Sequence, residues 1–468
     1  MKMNKTIKIG LLSIAFAMTA SSCSDDFVER EFSQEVQQSE LTTLNEVDAF
    51  VKGGYVSLRS NTYYGADFLA YGEVRSDEML SNLAGGYYQN VMNYTMLSND
   101  AYATNTYSQI YTLIAKANIL INTDMSTIKG SDLDREEARY AQGQAYAMRA
   151  IGFFDAHRLY GQKYTGGTLG VVLPLKYDPK ALMPRATIAE TEAQIDADFT
   201  KALQLMTANG SASNVIKTEL TINAVKGLAS RFYLYKGDYG KVRSFTNDIV
   251  LSARYSVPAA SLLQETFRFS LNGAAPNSIF ELAVGINASL STNSYRQRLN
   301  RNGYGNIVVK PATLAAYAAN DVRKAFIVTT SGERYLSTSS NANGIGKYTQ
   351  GVGADNIKML RYEEILLNGV EAELNGGDPA KALAYYNMIV TNRGLPAATT
   401  VDMAMLKTER MKELLGEGIR QWDLRRWGDA VPRPTSASTD VNLNAFPIPR
   451  SETDLSNSPV VSNPGYDN

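Results

Sequence analysis

Between Arg135 and Tyr160 the apolar and small residues fall on two helical stripes. Ala141, Ala145, Met148 and Gly152 make one, and Tyr140, Ala147, Ile151 and Phe154 make the other. A surface helix shows a single apolar stripe, so a helix with two must be covered on two sides, as in stacked helical hairpins. An internal echo points the same way. Gly237-Asp238-x-x-Lys241-Val242 leads to Asn247-x-Ile249-Val250, and the layout returns 140 residues later as Gly377-Asp378-x-x-Lys381-Ala382 leading to Asn387-x-Ile389-Val390. In each copy an apolar helix precedes the Gly-Asp turn and another follows it. Val242, Phe245 and Ile249 correspond in this reading to Leu383, Tyr386 and Val390. The expected fold class is mainly α: a scaffold of helix pairs with irregular loops and a few short strands.

The hairpin layout resembles the tetratricopeptide helix-turn-helix, whose units bury their faces only by stacking. Two other territories lie between the helical blocks. Tyr55 to Tyr111 holds ten of the 28 tyrosines among Asn, Ser and Gly with little regular period. Residues 256–360 are rich in Asn, Ser and Gly and show one strand, Ile279–Val284. Long loops with no structure of their own are usually either functional or disordered.

The amino terminus gives an address. Lys2, Lys5 and Lys8 precede an apolar run through Leu11, Leu12, Ile14, Phe16 and Met18, and small residues follow to Ser22. This is a secretory signal whose core is too short to span a bilayer. Cys23, the only cysteine, comes directly after it. The arrangement resembles a bacterial lipoprotein signal, in which cleavage precedes a cysteine that becomes lipidated, although Ala20 stands where Leu is usual. The other reading is an ordinary signal peptide with a chance cysteine. A lone cysteine forms no disulfide framework, and several acyl chains on it give stable anchoring where one gives only marginal binding. Ser24, Asp25 and Asp26 resemble the signal that sends some lipoproteins to the outer face of the outer membrane. The expected organisation is a signal peptide over 1–22, a lipidated start and flexible tether over 23–42, a helical region with Tyr-rich loops over 43–255, and a carboxy-terminal region over 256–468. Loss of the signal removes three lysines and moves the formal charge from -1 to -4, with 43 Lys+Arg against 47 Asp+Glu, so no basic field invites nucleic acid.

The last hundred residues carry a family likeness. Arg361-Tyr362-Glu363-Glu364-Ile365-Leu366-Leu367-Asn368 with Glu371-Ala372-Glu373 comes first. Glu409-Arg410-x-x-Glu413-Leu414-x-x-Glu417-Gly418-x-Arg420-x-x-Asp423-Leu424-x-Arg426-Trp427-Gly428 follows. Phe446-Pro447-Ile448-Pro449, Glu452 and Asn463-Pro464-Gly465-Tyr466 complete the tail. Together with Gly143-Gln144-Ala145-Tyr146, Arg149-Ala150 and Arg158-Leu159-Tyr160-Gly161, the chain resembles the SusD/RagB family over nearly its whole mature length. One segment departs. Where the family shows Asn-x-Ile-Arg-x-Arg-Ala-Gly-Leu, this chain has Asn387-Met388-Ile389-Val390-Thr391-Asn392-Arg393-Gly394-Leu395. Both family arginines are missing from their places, and with them the expected local salt bridges; Val370 also replaces the usual Ala.

The resemblance implies a surface-exposed outer-membrane lipoprotein on tetratricopeptide-like helix pairs. Such a protein caps a SusC-like TonB-dependent transporter and captures nutrients; it binds and delivers without cutting. Composition agrees. The one histidine, His157, lies inside the helix that the resemblance already explains and the one cysteine is destined for lipid, which leaves few parts for Ser-His-Asp or Cys-His catalysis and too few for zinc sites with several His or Cys ligands. A glycosidase needs only two carboxylates. Glu409, Glu413 and Glu417, spaced i, i+4, i+8 on an expected single helix face, are the candidates, but the surrounding arginines make ion pairs the better reading. No cofactor and no metal are expected, and no Asp-rich calcium loop of the EF-hand kind appears.

A sugar binder needs flat rings for the C–H face of a pyranose and fixed donors and acceptors for its hydroxyls. Trp422 and Trp427 belong to the terminal motif, where Met411, Leu415, Ile419 and Trp422 share one face, and read as core. Stacking is left to tyrosines. The first candidate set is Tyr63, Tyr64, Tyr71, Tyr87, Tyr88 and Tyr94, interspersed with Arg75, Asp77, Asn82 and Asn90. Tyr295, Arg296, Arg298 and Tyr304 form a second set, in a region where the family also tends to place ligand contacts. For any single tyrosine, simple loop packing or a buried ring with a bonded hydroxyl is the commoner fate, and the cluster as a whole is more persuasive than its members. Glycan binding as a transporter partner is the first reading, a peptide-binding uptake lipoprotein of the RagB branch is the alternative, and a lipid-anchored glycosidase comes last.

Overall fold

A computed structural model describes residues 40–209, 216–337 and 344–466, and from Thr42 onward the chain forms one compact unit. The signal, Cys23 and most of the expected tether lie outside the described residues. The amino-terminal helices are α1 (Leu44–Leu58), α2 (Asp67–Val74), α3 (Ala101–Ile121), α4 (Asp132–Tyr160) and α5 (Ile188–Asn209). The sequence starts α1 and α4 with the same device. Thr43 and Glu46, and then Ser131 and Asp134, make reciprocal capping boxes that satisfy the first free N–H groups. The stretch 55–111 is thus more helical than its lack of period suggests, because α2 and the start of α3 run through it.

Helix α4 fulfils the two-stripe expectation. It lies between α3 on one side and α5 on the other, and every residue from Ala147 to Tyr160 is buried. Gly152 marks the first contact, since a Cβ there would come within 2.9 Å of Ile114 Cγ1. Gly143 marks the second, with Met206 Cγ at 2.6 Å from such a Cβ. Burying a side chain such as Phe153 fully contributes about 1.5–3 kcal/mol.

The echo forms two hairpins, α6 (Ile222–Lys236) with α7 (Tyr239–Leu251), and α8 (Tyr362–Leu374) with α9 (Pro379–Val390). Asp238 and Asp378 each cap the second helix, accepting from Lys241 N at 3.0 Å and from Ala380 N at 2.8 Å. The hairpins stack through α7 against α8, where Thr246 Oγ1 donates to the Ile365 carbonyl. Two details differ from the sequence reading. The left-handed glycine is Gly237 in the first copy but Gly376 in the second. The buried residues pair as Val242 with Ala382, Thr246 with Tyr386 and Ile249 with Ile389, one position away from the hydrophobic matches drawn above.

Short antiparallel ladders join distant segments: β1 (Met79–Ser81) pairs with β5 (Ile307–Val309), and β2 (Leu169–Val172) with β3 (Arg185–Thr187). Likewise β4 (Ser278–Leu282) pairs with β8 (Ile357–Arg361), and β6 (Val328–Thr330) with β7 (Glu333–Tyr335). β4 is the strand expected at 279–284; the three-residue strands have no legible period.

The acidic row 409–417 does not share one helix. α10 (Met403–Leu414) ends before Gly416 and Gly418, both left-handed, and α11 (Arg420–Trp427) begins after them. Glu409 and Glu413 lie on α10 and Glu417 in the turn, and all three are buried in an arginine network. Arg323 bonds Glu409 and Glu413, Arg361 bonds Glu413 and Glu417, and Lys347 bonds Glu417. The salt bridges that the departing segment was expected to lack are present. Arg393, fully buried one position beyond the second family arginine, bonds Glu363 and Glu413. Burial works against the Glu413 charge, but Arg393, Arg361 and Arg323 outweigh it and hold the carboxyl well below its usual range.

Candidate functional site

The β1–β5 ladder brings the two candidate sets together. The loop after β1 and the loop before β5 lie side by side, stitched by Asn82, whose N–H donates to Asn306 O and whose Nδ2 donates to Gly305 O, both at 3.0 Å. Tyr87, half-buried, and Tyr304, 47% exposed, then meet with ring centroids 5.3 Å apart at 32°. Arg298, on the short helix Tyr295–Leu299, lies over both rings, 4.1 Å from the Tyr87 centroid and 5.1 Å from that of Tyr304. Such guanidinium–ring contacts fix the rings and the charge relative to one another.

Support comes from below. Tyr88 is buried, stacks on Tyr102 at 4.9 Å and donates its hydroxyl to Asp67 Oδ1 at 2.8 Å. Burial raises the Asp67 carboxyl to about 6, with the Tyr88 hydroxyl and Arg298 pulling it back. Burial likewise opposes the Arg298 charge, but Tyr88, Tyr87 and Asp67 outweigh it and raise its pKa. Nε and Nη1 of Arg298 are buried and make no hydrogen bond among the described residues. Leaving such donors unmade is costly, and Arg298, itself buried, acts from within the cluster by holding the two rings in place. The loop is also strained. Leu83 and Tyr88 hold φ of 66° and 57°, and left-handed non-glycine residues cluster at functional sites.

The other candidates are structural in this fold. Tyr63 and Tyr64 are buried and both donate to Asp155 Oδ2. Tyr71 donates to the Tyr102 carbonyl at 2.9 Å. Arg75, fully buried, donates to the carbonyls of Val91 and Leu443 and lies 3.9 Å over Tyr94, which is buried as well. Asp77 is gripped at both oxygens by Arg420, and Asn90, though exposed, donates to Asp100. Tyr295 is buried edge-on to Tyr348, and Arg296 is buried near Asp355. Burial leaves these side chains no face to offer a ligand, except for the exposed Asn90 and the half-buried Asp77, whose oxygens Arg420 already holds. Sequence reasoning missed Asp67 and Tyr102, which hold the cluster from beneath; both lie in or beside the tyrosine-rich stretch, but nothing in their local pattern distinguishes them.

His157 is buried in α4 with Nε2 3.7 Å from Glu192, and burial lowers its pKa. Among the described residues there is no group of three or more His, Cys, Asp or Glu placed to hold a metal ion, and no helix is long and apolar enough to cross a membrane.

Comparison with known proteins agrees with this architecture. A family model described as "Starch-binding associating with outer membrane" matches residues 31–234, and the SusD family model matches residues 329–444. The chain belongs to the SusD/RagB family. It is similar to a SusD-like protein of Formosa agariphila, 22% identical over 481 residues, with 91% of this chain and 90% of the relative covered. A SusD superfamily protein of Bacteroides vulgatus has the same fold, with a TM-score of 0.80 at 24% identity over 92% of this chain and 100% of that one. Surface glycan-binding protein A of Bacteroides thetaiotaomicron, solved in complex with laminarihexaose, matches with a TM-score of 0.71 at 17% identity, over 90% of this chain and 100% of that one.

Proposed function

We propose that this protein is an outer-membrane lipoprotein that binds an oligo- or polysaccharide on the Tyr87, Tyr304 and Arg298 cluster and delivers it to a SusC-like TonB-dependent transporter. The observation that carries the reading is the convergence of two accessible tyrosine rings, from distant segments, on a buried guanidinium that fixes them. A pyranose offers the complement: an apolar C–H face for a ring and hydroxyls for the tyrosine hydroxyls. The fold shared with a protein solved in complex with laminarihexaose supports the ligand class. Lipidation at Cys23 would hold the body at the outer membrane, facing the exterior.

The carboxylates of the terminal motif support binding without cleavage. Glu409, Glu413 and Glu417, the glycosidase candidates, are buried and committed to Arg323, Arg361, Arg393 and Lys347. A thermal-shift screen of the mature chain against a broad oligosaccharide panel tests the reading. Stabilisation by at least one glycan class is expected. No shift by any glycan, with a peptide co-purifying, would replace it with the peptide-binding alternative.

A further inference from the structure

A groove of about 610 Å³ runs along α3, away from any residue of the ring cluster, and its size suits a small ligand. Its floor is one face of the helix, with Tyr107 and Tyr111 one turn apart and ring centroids 4.4 Å from each other. Its far wall is the stretch 173–184 that links β2 to β3, a long connection without regular structure. The wall is tied to the floor: Tyr111 donates to the Val172 carbonyl at 2.9 Å and Asn118 Nδ2 to the Pro174 carbonyl at 2.8 Å. The groove is therefore preformed. Along its rim Leu175, Tyr177 and Met183 are 41%, 51% and 36% exposed, an apolar edge facing solvent.

One carboxylate in the groove stands without a partner. Glu452, on the helical turn Arg450–Thr453, lines the groove, and among the described residues its carboxylate has no hydrogen bond or ion pair. Burial alone acts on it and raises its pKa. Lys176 and Asp178, of opposite charge, also line the groove, on its exposed wall. A half-buried carboxylate without a cation, set beside tyrosine faces, attracts an organic cation by charge and through the rings.

We propose that this groove is a second binding site, for a saccharide that carries a free primary ammonium group. The ammonium would meet Glu452 and the sugar ring would lie along Tyr107, Tyr111 and the rim. The inference uses no residue of the Tyr87, Tyr304 and Arg298 cluster, so it stands or falls separately from the proposed function.

Calorimetric titration of the mature chain with glucosamine trimer and with its fully N-acetylated counterpart tests it. The free amine is expected to bind at least about tenfold more tightly, since acetylation removes the charge that a charge-assisted bond needs. Glu452→Gln should weaken the free amine by about tenfold without lowering Tm. Met183→Lys, which sets a cation on the exposed rim, should weaken it as well and carries the test should Glu452→Gln fail to fold. Equal affinity for the two trimers, no binding of the free amine at millimolar concentration, or binding untouched by both substitutions overturns the proposal.

Discussion

Arg393 donates from Nε to Glu413 Oε2 at 2.9 Å, and its Nη2 reaches Glu363 at 2.8 Å. Val390 and Asn392 stand where the family places its arginines, so the network is kept by a different position. Because Arg393 is wholly buried, removing it strands carboxylates that cannot return to water. Arg393→Met is expected to cost about 3–5 kcal/mol in denaturant unfolding, as for other broken buried pairs. The more exposed Lys226–Asp248 pair makes the control, where Lys226→Met should cost less than about 1 kcal/mol. Similar losses at the two sites would contradict the assignment.

The two-sided burial of α4 predicts a split between two glycines. Gly152→Ala drives a Cβ to within 2.9 Å of Ile114 and should cost about 1–3 kcal/mol through overpacking. Gly53→Ala in α1 meets nothing nearer than Lys116 Cδ at 3.9 Å and should gain about 0.5–1 kcal/mol from helix propensity. Thermal unfolding of the pair reads the difference directly.

Asp67 gives a pH dependence with a definite sign. Its folded pKa, raised by burial to about 6, lies above the ordinary 3.8, so between those values the folded state holds a proton that the unfolded chain has released. Ionising it therefore costs stability: nothing below about pH 4, growing as pH rises toward 6 and levelling above, to roughly 3 kcal/mol at most. Asp67→Asn removes this contribution. Wild type should lose stability relative to the variant as pH goes from about 4 to about 7, measured as the difference between two denaturation series. A difference that stays flat would show that Asp67 titrates normally.

The proposed lipidation at Cys23 predicts separation of address from fold. Cys23→Ser should move the protein from the membrane fraction to the soluble one with its Tm unchanged. Persistent membrane attachment would sink the lipoprotein reading.

The helical part of the fold was legible because a 3.6-residue period survives in sequence: the stripes on 135–160 and the Gly-Asp echoes needed no tertiary information. The echo's register slipped by one because like residue types were matched, whereas burial selects Thr246 and Ile389 by their place on the helix. The break at Leu415–Ile419 was missed because Gly416 and Gly418 end α10 inside a pattern that still reads as helical. The site was half legible. Tyrosine content pointed to the right loops, but a tyrosine's two natures, ring and hydroxyl, suit core and surface alike, and Tyr63, Tyr64, Tyr71 and Tyr88 went to the core. Only the three-residue pairing of β1 with β5 puts Tyr87 beside Tyr304, and no local pattern encodes so distant a contact.

The central claim is that Tyr87 and Tyr304 form the glycan contact surface, and titration calorimetry with the best glycan from the panel tests it most directly. Tyr87→Ala and Tyr304→Ala should each weaken binding by about tenfold, while Tyr63→Phe, altering a buried hydroxyl, should leave affinity unchanged. Wild-type affinity in both alanine variants would contradict the account.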